Sequence, residues 1–415
     1  MRIGIDDTDS PAGMCTTYLG AVLARRLESA GMVVTGALLI RLNPNVIYKT
    51  RGNAAICIEV EGDPDQAFEL ACEMVEDLAD FACDATNPGV VVSEHPLATS
   101  FYTKAVRDFC EIDEAVNLIE EAGASYKGYK NRRGLIGAAA AVASASEDMT
   151  YELLAYRKPS LWGTPRLVDR KSLFCAEEHT WPHTWDSVDR ENDVVVCVPH
   201  TPDPVLFGIR GESPVWVEQA RAYVQSEDTG IEQVFRTNQG TDAHLQGGMV
   251  GNLKEGCSYL VSGTVVSLPQ TGNGGHVWFS LGSAGNAVRC MAYEPTKGFR
   301  DIIRLLYPGD EVTVAGSYKR GSINLEKVLV RSILPVIRER PPICCVCGKR
   351  MTSAGTGKGY KCRRCSTRSW ESEVERLERP LQQGWYEVPP SARRHLAKPL
   401  CRGHPVLPMP CGTHL

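Results

Sequence analysis

GIDDTDSPAGMCTTYLG, residues 4–20, combines a strand, an acidic loop and the start of a helix. Its opening apolar residues predict a short strand, and that strand ends in three carboxylates, Asp6, Asp7 and Asp9. Two threonines then begin a segment with apolar residues at helical spacing. The sequence therefore predicts a helix directly behind the acidic loop.

Three carboxylates within four residues repel one another unless a cation lies between them. Mg²⁺ is the natural cation, because it is held by one or two carboxylates together with substrate phosphates. The helix start behind the loop offers free backbone N–H groups and a dipole that favour phosphate. We therefore predict that Asp6, Asp7 and Asp9 are catalytic and bind Mg²⁺. The alternative is a polar turn with a threonine N-cap.

Length and composition exclude several classes of protein. The 415 residues predict roughly three or four domains, and 43% hydrophobic with 23% charged residues is typical of a globular protein. No apolar run reaches the roughly 20 residues of a membrane span, and the N-terminus lacks a basic-then-apolar signal pattern. We expect a cytoplasmic protein with no membrane partner and no obligate protein partner.

The cysteines do not predict a disulfide scaffold. The chain has 16 of them, but nine lie singly before residue 344, as small buried hydrophobic residues usually do in a large intracellular chain.

Charge is distributed unevenly along the chain. Residues 336–415 carry 15 Lys and Arg against 6 Asp and Glu, a net +9, whereas the rest of the chain carries a net −14. A basic tail on an acidic body favours a polyanionic partner for the tail, although a merely solvated tail remains the alternative.

The predicted elements indicate a multidomain α+β fold. Residues 1–147 alternate strands and helices as an α/β domain, including a strand at 54–61 and a helix that Asp63 caps and Pro64 opens. Residues 148–250 form a second α/β unit, which includes a predicted strand at 193–200. Its two β-α-β halves predict a ferredoxin-like domain.

Two basic loops of the first domain contain glycines that let a ligand approach the backbone. They span residues 41–55 and 126–142, and the second precedes an alanine-rich helix whose N-terminus suits an anion. With the acidic loop they predict a nucleoside triphosphate site, although basic loops are often only solvated. No Walker motif or kinase glycine-rich loop occurs. The candidate phosphate-binding residues are Lys49, Arg51, Asn53, Arg133, Gly134 and Gly137.

The polar run TNQGTDAHL, residues 237–245, has no pattern that predicts packing. We expect either a ligand-contacting loop or a linker.

Residues 256–338 predict an OB-fold. Five predicted strands, with a helix between the third and the fourth, are the order of this small β-barrel, which binds nucleic acids. Trp278 and Phe279 are adjacent in a predicted strand, so only one of them faces the core. Trp278 is the candidate for stacking on a base, although an aromatic side chain that covers the surface is equally plausible.

Residues 340–370 predict a zinc ribbon. The two C-x-x-C pairs Cys344, Cys347 and Cys362, Cys365 have the spacing of a four-thiolate structural zinc site. Basic residues surround these pairs and suit contacts to a phosphate backbone. Residues 371–415 are rich in proline and basic residues, and predict an extended basic arm without its own core. The basic candidates for RNA contact are Lys361, Arg363, Arg364, Arg393 and Arg394.

Taken together, GIDDTDS with MCTTYL, RLNP with YKTRGNAA, KGYKNRRGLIGA, TNQGTDAH, the OB-fold and the terminal zinc ribbon resemble one family over essentially the whole chain. It is the archaeal 2-agmatinylcytidine synthetase family, TiaS, which acts on the AUA-reading isoleucine tRNA.

The resemblance implies the function. Members consume ATP and join agmatine to carbon 2 of the wobble cytidine, forming agmatidine, which pairs with A. It implies that residues 1–147 are an ATP-binding atypical kinase domain that phosphorylates the carbon 2 oxygen before the amine of agmatine displaces phosphate. Asp6, Asp7 and Asp9 match the Mg²⁺-binding motif of the family, and Thr16 matches a threonine that members autophosphorylate, with Thr17 beside it as the alternative.

Two other functions remain possible from the sequence. An OB-fold with a zinc ribbon also occurs in non-catalytic nucleic-acid-binding proteins. An ATP-dependent enzyme that acts on another RNA, or uses another amine such as lysine, is the second alternative.

Overall fold

A computed structural model of the chain describes residues 1–405. The last ten residues of the expected basic arm, 406–415, lie outside the described part. None of the helices in residues 1–405 has the length and apolar character that crossing a membrane requires. The fifteen cysteines described are all unpaired thiols, and of the nine single cysteines before residue 344 only Cys57, Cys72, Cys257 and Cys290 are buried as expected.

The N-terminal third alternates strands and helices, as predicted. Its elements are β1 (Arg2–Asp6), α1 (Thr16–Ser29), β2 (Val33–Arg41), β3 (Ala54–Glu61), α2 (Pro64–Leu78), β4 (Gly89–Ser93), α3 (Thr99–Arg107), α4 (Ile112–Glu121), β5 (Ser125–Gly128) and α5 (Gly134–Val142). The predicted cap of α2 is confirmed, because the Asp63 side chain accepts the Gln66 N–H at 2.9 Å.

The next part holds β6 (Thr150–Arg157), α6 (Arg170–Thr180), β7 (Thr184–Trp185), β8 (Val188–Asp189), β9 (Val194–Val195), β10 (Val205–Gly211), α7 (Pro214–Tyr223), β11 (Thr229–Thr237) and β12 (Leu245–Gly248). The prediction of a strand over 193–200 was wrong: only β9 pairs there, with β8, and the residues after it line a cavity.

Both α/β parts share one nine-stranded sheet in the order β5-β4-β1-β3-β2-β11-β6-β10-β7. They join where β11 pairs in parallel with β2, Arg236 opposite Leu38 and Thr237 opposite Leu39. Alternating residues of the sheet face two cores: Ile58 packs with α1 and α2, and the adjacent Cys57 packs with α3 to α5. The N-terminal part of the sheet is thus covered by helices on both faces.

Helix α5 lies unusually close to the sheet. A Cβ on Gly4 of β1 would lie 2.2 Å from the Ala138 carbonyl oxygen, so only glycine permits this approach. The alanines of α5 are fully buried against the same sheet. This packing places the C-terminal end of β1 directly beside the first turn of α5.

The 237–245 run, expected to be a ligand-contacting loop or a linker, is largely buried and does not line the cavity described below. Asn238, Gln239 and His244 are fully buried, and their side chains are bonded to the first domain, to β6 and to the barrel. These polar side chains form the junction between the parts.

The predicted five-stranded barrel with an interposed helix is confirmed. Strands β13, β17, β18, β16 and β15 pair in that order, and β13 pairs with β15 to close the barrel. Phe279 is fully buried in its core. The elements of this part are β13 (Ser258–Val265), β14 (Gln270–Thr271), β15 (Val277–Ser283), β16 (Asn286–Ala292), α8 (Phe299–Arg304), β17 (Glu311–Lys319) and β18 (Ser322–Ser332).

The C-terminal part does not form the expected extended arm. After the pair β19 (Val336–Arg340) with β23 (Glu373–Leu377), β24 (Gly384–Glu387) adds to the barrel sheet along β18. Leu396 then packs into the core beneath the N-terminal sheet. Between β19 and β23 lies a small sheet of β20 (Thr352–Ser353), β21 (Tyr360–Lys361) and β22 (Arg368–Ser369). Local composition predicted an extended arm, but the segment instead pairs with the barrel and buries Leu396 against the N-terminal sheet, contacts that are distant in sequence.

Candidate active site

A cavity of about 620 Å³ opens where the acidic loop meets the junction of the two α/β parts. Its walls come from the end of β1, the start of α1, the loop between β2 and β3, strands β6 and β10, and the C-terminal segment. All three predicted carboxylates line it, together with Thr16, Lys49, Arg51, Asn53, Arg133 and Gly137.

The acidic loop turns sharply at Asp7. This residue has a φ of 59°, in the left-handed region, and its N–H donates to Asp6 Oδ1 at 2.7 Å. Burial raises the pKa of Asp6 well above its usual value, and the charge of Asp7 adds to the effect. Burial also raises the pKa of Asp7 and Asp9, opposed by Arg133 and Arg51 respectively. Crowded, desolvated carboxylates of this kind favour a bound cation.

Two arginines hold the acidic loop from opposite parts of the chain. Arg133 Nη2 lies 2.8 Å from Asp7 Oδ2, and Arg51 Nη2 lies 2.9 Å from Asp9 Oδ2. Arg51 also donates to the Ser10 carbonyl at 2.9 Å. The sequence prediction that both basic loops converge on one site therefore holds for these two arginines.

The three carboxylates do not form a closed cage. Within residues 1–405, the only group of three or more His, Cys, Asp or Glu whose ligand atoms all lie within 4.8 Å of one another is the cysteine cluster. This arrangement fits Mg²⁺, which keeps several waters and substrate phosphates among its ligands, better than an all-protein site.

Helix α1 presents an open N-terminus to the cavity. Its N-cap is Cys15, whose side chain makes no capping bond, so the alternative of a threonine N-cap was wrong. The Leu19 N–H is the first in the helix to donate to a backbone carbonyl. Thr16 and Thr17 are buried, yet both line the cavity, and Thr16 Oγ1 accepts a hydrogen bond from Thr8 at 3.1 Å. An anion is favoured at this helix start.

The start of α5, by contrast, is not free to bind an anion, which corrects the sequence prediction. The N–H of Gly134 donates to Asn87 at 2.9 Å, and the next two amides donate to carbonyls of the preceding turn. A Cβ on Gly137 would lie 1.8 Å from Asp6 Oδ2, and one on Gly134 would lie 2.4 Å from Gly89 N. These glycines let α5 pack against the strand that carries the carboxylates.

The other two phosphate-binding candidates in the loop between β2 and β3, Lys49 and Asn53, hydrogen-bond within that loop. Asn53 donates to the Asn43 carbonyl at 3.0 Å, and Lys49 donates to the Pro44 carbonyl. Burial lowers the pKa of Lys49, helped by Arg394 and Lys319. The Lys49 side chain still lines the cavity.

Sequence patterns missed several charged residues of the cavity. Glu152 lies on β6, Arg210 on β10, Arg41 at the end of β2, and His395 on the C-terminal segment. Glu152 Oε1 accepts from Arg210 at 3.2 Å, and its Oε2 accepts from Gln239 at 2.5 Å. The local signals were a glutamate within the strand segment TYELLAYR and the position of Arg41 at the start of the basic loop 41–55.

One part of the cavity combines apolar walls with a buried carboxylate. Leu154, Val205 and Pro199 line it, together with Asp203. Asp203 is 7% exposed, accepts the Val205 N–H at 3.0 Å and lies 3.5 Å from Arg166. Such a pocket suits a ligand with an alkyl chain and a positive end.

The four predicted zinc ligands converge. Cys344, Cys347, Cys362 and Cys365 are the only such cluster in residues 1–405, with Sγ–Sγ distances of 3.3 Å (344–365), 3.4 Å (347–362) and 3.7 Å (347–365). A zinc–sulfur distance of about 2.3 Å requires tetrahedron edges of about 3.8 Å, close to these values. The fit supports a structural zinc site, and four thiolates leave no position for catalysis.

The RNA-contact candidates divide into exposed and internal residues. Lys361, Arg363 and Arg364 are exposed around the cysteine cluster. Trp278 lies outside the barrel core, with the Arg289 guanidinium 5.9 Å from its ring centroid.

The remaining pair differs in exposure, since Arg393 is buried and Arg394 is half-buried. The Arg393 side chain is only 6% exposed and pairs with Asp186 and Glu387, whereas Arg394 donates to Asn45 and Ser317. This pairing removes Arg393 from any surface that a nucleic acid contacts.

Comparison with known proteins gives consistent matches along the chain. Residues 2–63 and 59–131 match the TiaS TCKD domain, residues 132–244 the TiaS FLD domain, and residues 341–381 the TiaS C-terminal zinc ribbon domain. TiaS of Methanocorpusculum labreanum, the 2-agmatinylcytidine synthetase for isoleucine-2 tRNA, is 53% identical over 403 residues, which cover 97% of each chain.

Solved structures are similar over nearly the whole length. The complex of TiaS with isoleucine-2 tRNA and ATP is 43% identical with a TM-score of 0.90, covering 97% of both chains. The complex of TiaS with the same tRNA, AMPCPP and agmatine is 42% identical with a TM-score of 0.88, covering 97% of this chain and 96% of that one.

Proposed function

This chain belongs to the TiaS family, and we propose that it is an ATP-dependent ligase that joins agmatine to carbon 2 of the wobble cytidine of isoleucine-2 tRNA, forming agmatidine. One observation carries this function for the chain itself. A single cavity contains the acidic loop, the two arginines paired with it, and the open start of α1.

The ATP phosphates bind between the acidic loop and α1. Arg51, Arg133 and Lys49 supply positive charge on one side, and the N–H groups of α1 supply donors on the other. Asn53 orders the loop that carries Arg51. Gly134 and Gly137 act indirectly, because they allow α5 to support Asp6.

Asp6, Asp7 and Asp9 would hold Mg²⁺, which fits their crowding and their open arrangement. When bound, the ion neutralises charge on the phosphates. Arg133 and Arg51 keep Asp7 and Asp9 turned toward the cavity while it fills. Thr16 lies at the same helix start and is the family's autophosphorylation candidate, with Thr17 as the alternative.

The chemistry has two steps. The carbon 2 oxygen of cytidine attacks a phosphorus of ATP, so that an O–P bond forms and the phosphoanhydride bond breaks. The amine of agmatine then attacks carbon 2, the C–O bond breaks, phosphate leaves with that oxygen, and the amine loses a proton. Phosphorylation is needed because a carbonyl oxygen is a poor leaving group.

Agmatine fits the apolar part of the cavity. Leu154, Pro199 and Val205 would contact its four-carbon chain, and Asp203 would receive one of its cationic ends. A charge-assisted contact of this kind selects a diamine-like substrate over a neutral one.

The tRNA binds outside the cavity and inserts one nucleotide into it. The target base must leave the anticodon stack to reach the acidic loop. Trp278 on the barrel and the exposed Lys361, Arg363 and Arg364 on the zinc ribbon are the proposed contacts.

The finer assignments follow the same proposal. The domains are an atypical kinase domain at 1–147, a ferredoxin-like domain at 148–250, an OB-fold at 256–338 and a zinc ribbon at 340–370, followed by the C-terminal residues 371–415. The order β11-β6-β10-β7, with α6 and α7 between the strands along the chain, fits a β-α-β-β-α-β unit. A tRNA-modifying enzyme works in the cytoplasm.

Incorporation of labelled agmatine tests the function. Purified protein with ATP and Mg²⁺ should transfer the label to an isoleucine tRNA with a wobble cytidine and not to the same tRNA with a wobble uridine. Lysine and spermidine should compete poorly. Absence of transfer, with tRNA binding retained, would favour a non-catalytic RNA-binding protein.

A further inference from the structure

A second basic group lines the cavity and takes no part in holding the acidic loop. It consists of Arg41, Arg210 and His395, which come from β2, β10 and the C-terminal segment. We call these three residues the inner basic cluster.

Arg41 has hydrogen-bonding capacity that no described residue uses. Its Nε donates to Gln239 at 3.2 Å, but its Nη atoms make no hydrogen bond within residues 1–405, and the nearest carboxylate oxygen, on Glu152, is 3.9 Å from Nη2. The side chain is only 14% exposed. Burial, followed by the charge of Arg210, lowers the pKa of Arg41 to about 10 despite Glu152. A desolvated guanidinium with free donors is a site for an anion.

The carboxylates near Arg41 already pair with other groups, including Arg210 of the cluster itself. Glu152 accepts from both Arg210 and Gln239, and Asp186, 3.7 Å from Arg210, is paired with Arg393. Neither carboxylate turns an unpaired oxygen toward the Nη atoms of Arg41.

His395 adds a donor of defined orientation. Arg210 Nη2 lies 2.7 Å from His395 Nδ1, and because arginine only donates, Nδ1 accepts and the ring proton resides on Nε2. The His395 residue is exposed at the cavity wall, and desolvation of its ring there, followed by the charges of Arg41, Arg210 and Lys49, lowers the pKa of His395 well below its usual value. Gly52 lies opposite Nε2, since a Cβ there would be 3.6 Å from it. The absence of a side chain at Gly52 leaves that N–H accessible.

We propose that Arg41, Arg210 and His395 form a phosphate site that holds the phosphodiester next to the flipped nucleotide, a role that rests on the proposed function. The nucleotide phosphates already have Arg51, Arg133 and the start of α1. The cluster instead includes His395, which lies on the segment that follows β24. Strand β24 pairs with the barrel, and the barrel is expected to bind RNA. When a flipped base enters the cavity, the phosphodiester attached to its nucleotide comes close to the residues that line the cavity.

Steady-state kinetics of matched variants test this site. Arg41→Gln should raise the KM for tRNA about tenfold or more and leave the KM for ATP within about twofold, because a charge-assisted contact is lost. The slope of log affinity for the RNA against log salt should fall by about 0.7 for the lost contact. Arg25→Gln removes an exposed positive charge of α1 outside the cavity and should change neither value.

Variants of His395 provide a second, independent test if Arg41→Gln reduces the melting temperature. His395→Ala should raise the KM for tRNA, and His395→Gln, which restores an N–H near Nε2, should recover part of the loss. A raised KM for ATP with an unchanged KM for tRNA would assign the phosphate to the nucleotide and overturn the proposal. Behaviour identical to Arg25→Gln would also overturn it.

The two proposals fail separately. If the wild type transfers no agmatine, the proposed function is wrong, and the same variants still report on the phosphate site through their affinity for the RNA. If the wild type is active and the variants bind tRNA normally, only the phosphate site is wrong.

Discussion

At the scale of single residues, the proposed active site depends on carboxylates that are half-buried and held by neighbouring groups before any ligand arrives. Asp7 and Asp9 are turned by arginines from two distant loops, and Asp6 is fixed by the backbone of the next residue. Their charges are therefore pre-positioned, so that ligand binding costs little reorganisation. This arrangement supports the proposed catalytic role of the loop.

Replacing Asp7 tests its role in ATP chemistry. Asp7→Asn keeps the size of the side chain but removes its charge, so ATP turnover should fall by about two orders of magnitude, the usual cost of losing one electrostatic contact to the transition state. The affinity for tRNA should stay nearly unchanged in a filter-binding assay. Asp65→Asn, an exposed position on α2, is the control. Unchanged turnover in Asp7→Asn would remove this residue from the site.

Gly137 tests the packing that supports Asp6. A Cβ at this position would lie 1.8 Å from Asp6 Oδ2, and one on Gly134 would lie 2.4 Å from Gly89 N, so α5 packs closely against the sheet on both sides of this turn. Gly137→Ala should therefore lower stability by about 1–3 kcal/mol, the usual cost of overpacking, and reduce ATP turnover as well. Thermal unfolding and turnover are the measurements.

The control for that substitution is Gly298→Ala, at the start of α8. Gly298 has a φ of −59°, and an added Cβ would have no neighbour within 4 Å. It should unfold and turn over ATP as the wild type does. If Gly137→Ala behaves like Gly298→Ala, the close contact with Asp6 does not matter.

At the scale of elements, two helix starts next to the cavity differ in a way that sequence cannot reveal. Both helices follow loops whose residues were expected to contact a ligand. The first amides of α5 already donate to backbone carbonyls, whereas the first amides of α1 do not, and α1 has no side-chain cap. The partner of Gly134 is Asn87, far away in sequence. Only the tertiary structure shows which helix end can receive an anion.

Elements with strong local signals were predicted well. The strand at 54–61 and the helix opened by Pro64 have the expected bounds, because alternation, an N-cap and proline encode them locally. Residues 193–200 have the composition of a strand, yet only Val194–Val195 forms a ladder, and the backbone of the next two residues makes only single hydrogen bonds to Ser187 and Gly208. Apolar composition alone does not create a pairing partner.

The zinc ribbon offers a matched pair of adjacent cysteines. Cys347→Ser removes one of the four converging thiolates and should lose zinc and weaken tRNA binding, because the small ribbon depends on its metal. Cys345→Ser changes an exposed thiol outside the cluster and should do neither. Elemental analysis and a tRNA titration measure both effects. Full zinc content in Cys347→Ser would contradict the site.

At the scale of the whole molecule, the parts are joined more closely than a series of domains would be. One sheet runs through both α/β parts, and the C-terminal segment passes from the barrel to the cavity, where it supplies His395. The sequence predicts the classes of these parts but not their union, because the parallel pairing of β11 with β2 involves residues roughly two hundred apart. The same reason hid Arg41, Arg210 and His395.

Arg393 tests whether the C-terminal segment holds the parts together. Arg393→Met leaves Asp186 and Glu387 buried without their partner, which typically costs about 3–5 kcal/mol. The melting temperature should fall clearly, and activity should fall with it. Arg376→Met, at an exposed position on β23, should have little effect. Equal melting temperatures for the two variants would show that the segment is not a structural element.

The fate of one oxygen atom tests the central claim most directly. An isoleucine-2 tRNA is prepared with ¹⁸O at carbon 2 of its wobble cytidine and is converted with ATP and agmatine, and the inorganic phosphate is analysed by mass spectrometry. If the cavity phosphorylates the base oxygen before agmatine displaces it, each agmatidine formed should yield one phosphate that carries ¹⁸O. Recovery of the label in water, or its retention in the RNA, would contradict phosphoryl transfer to the base.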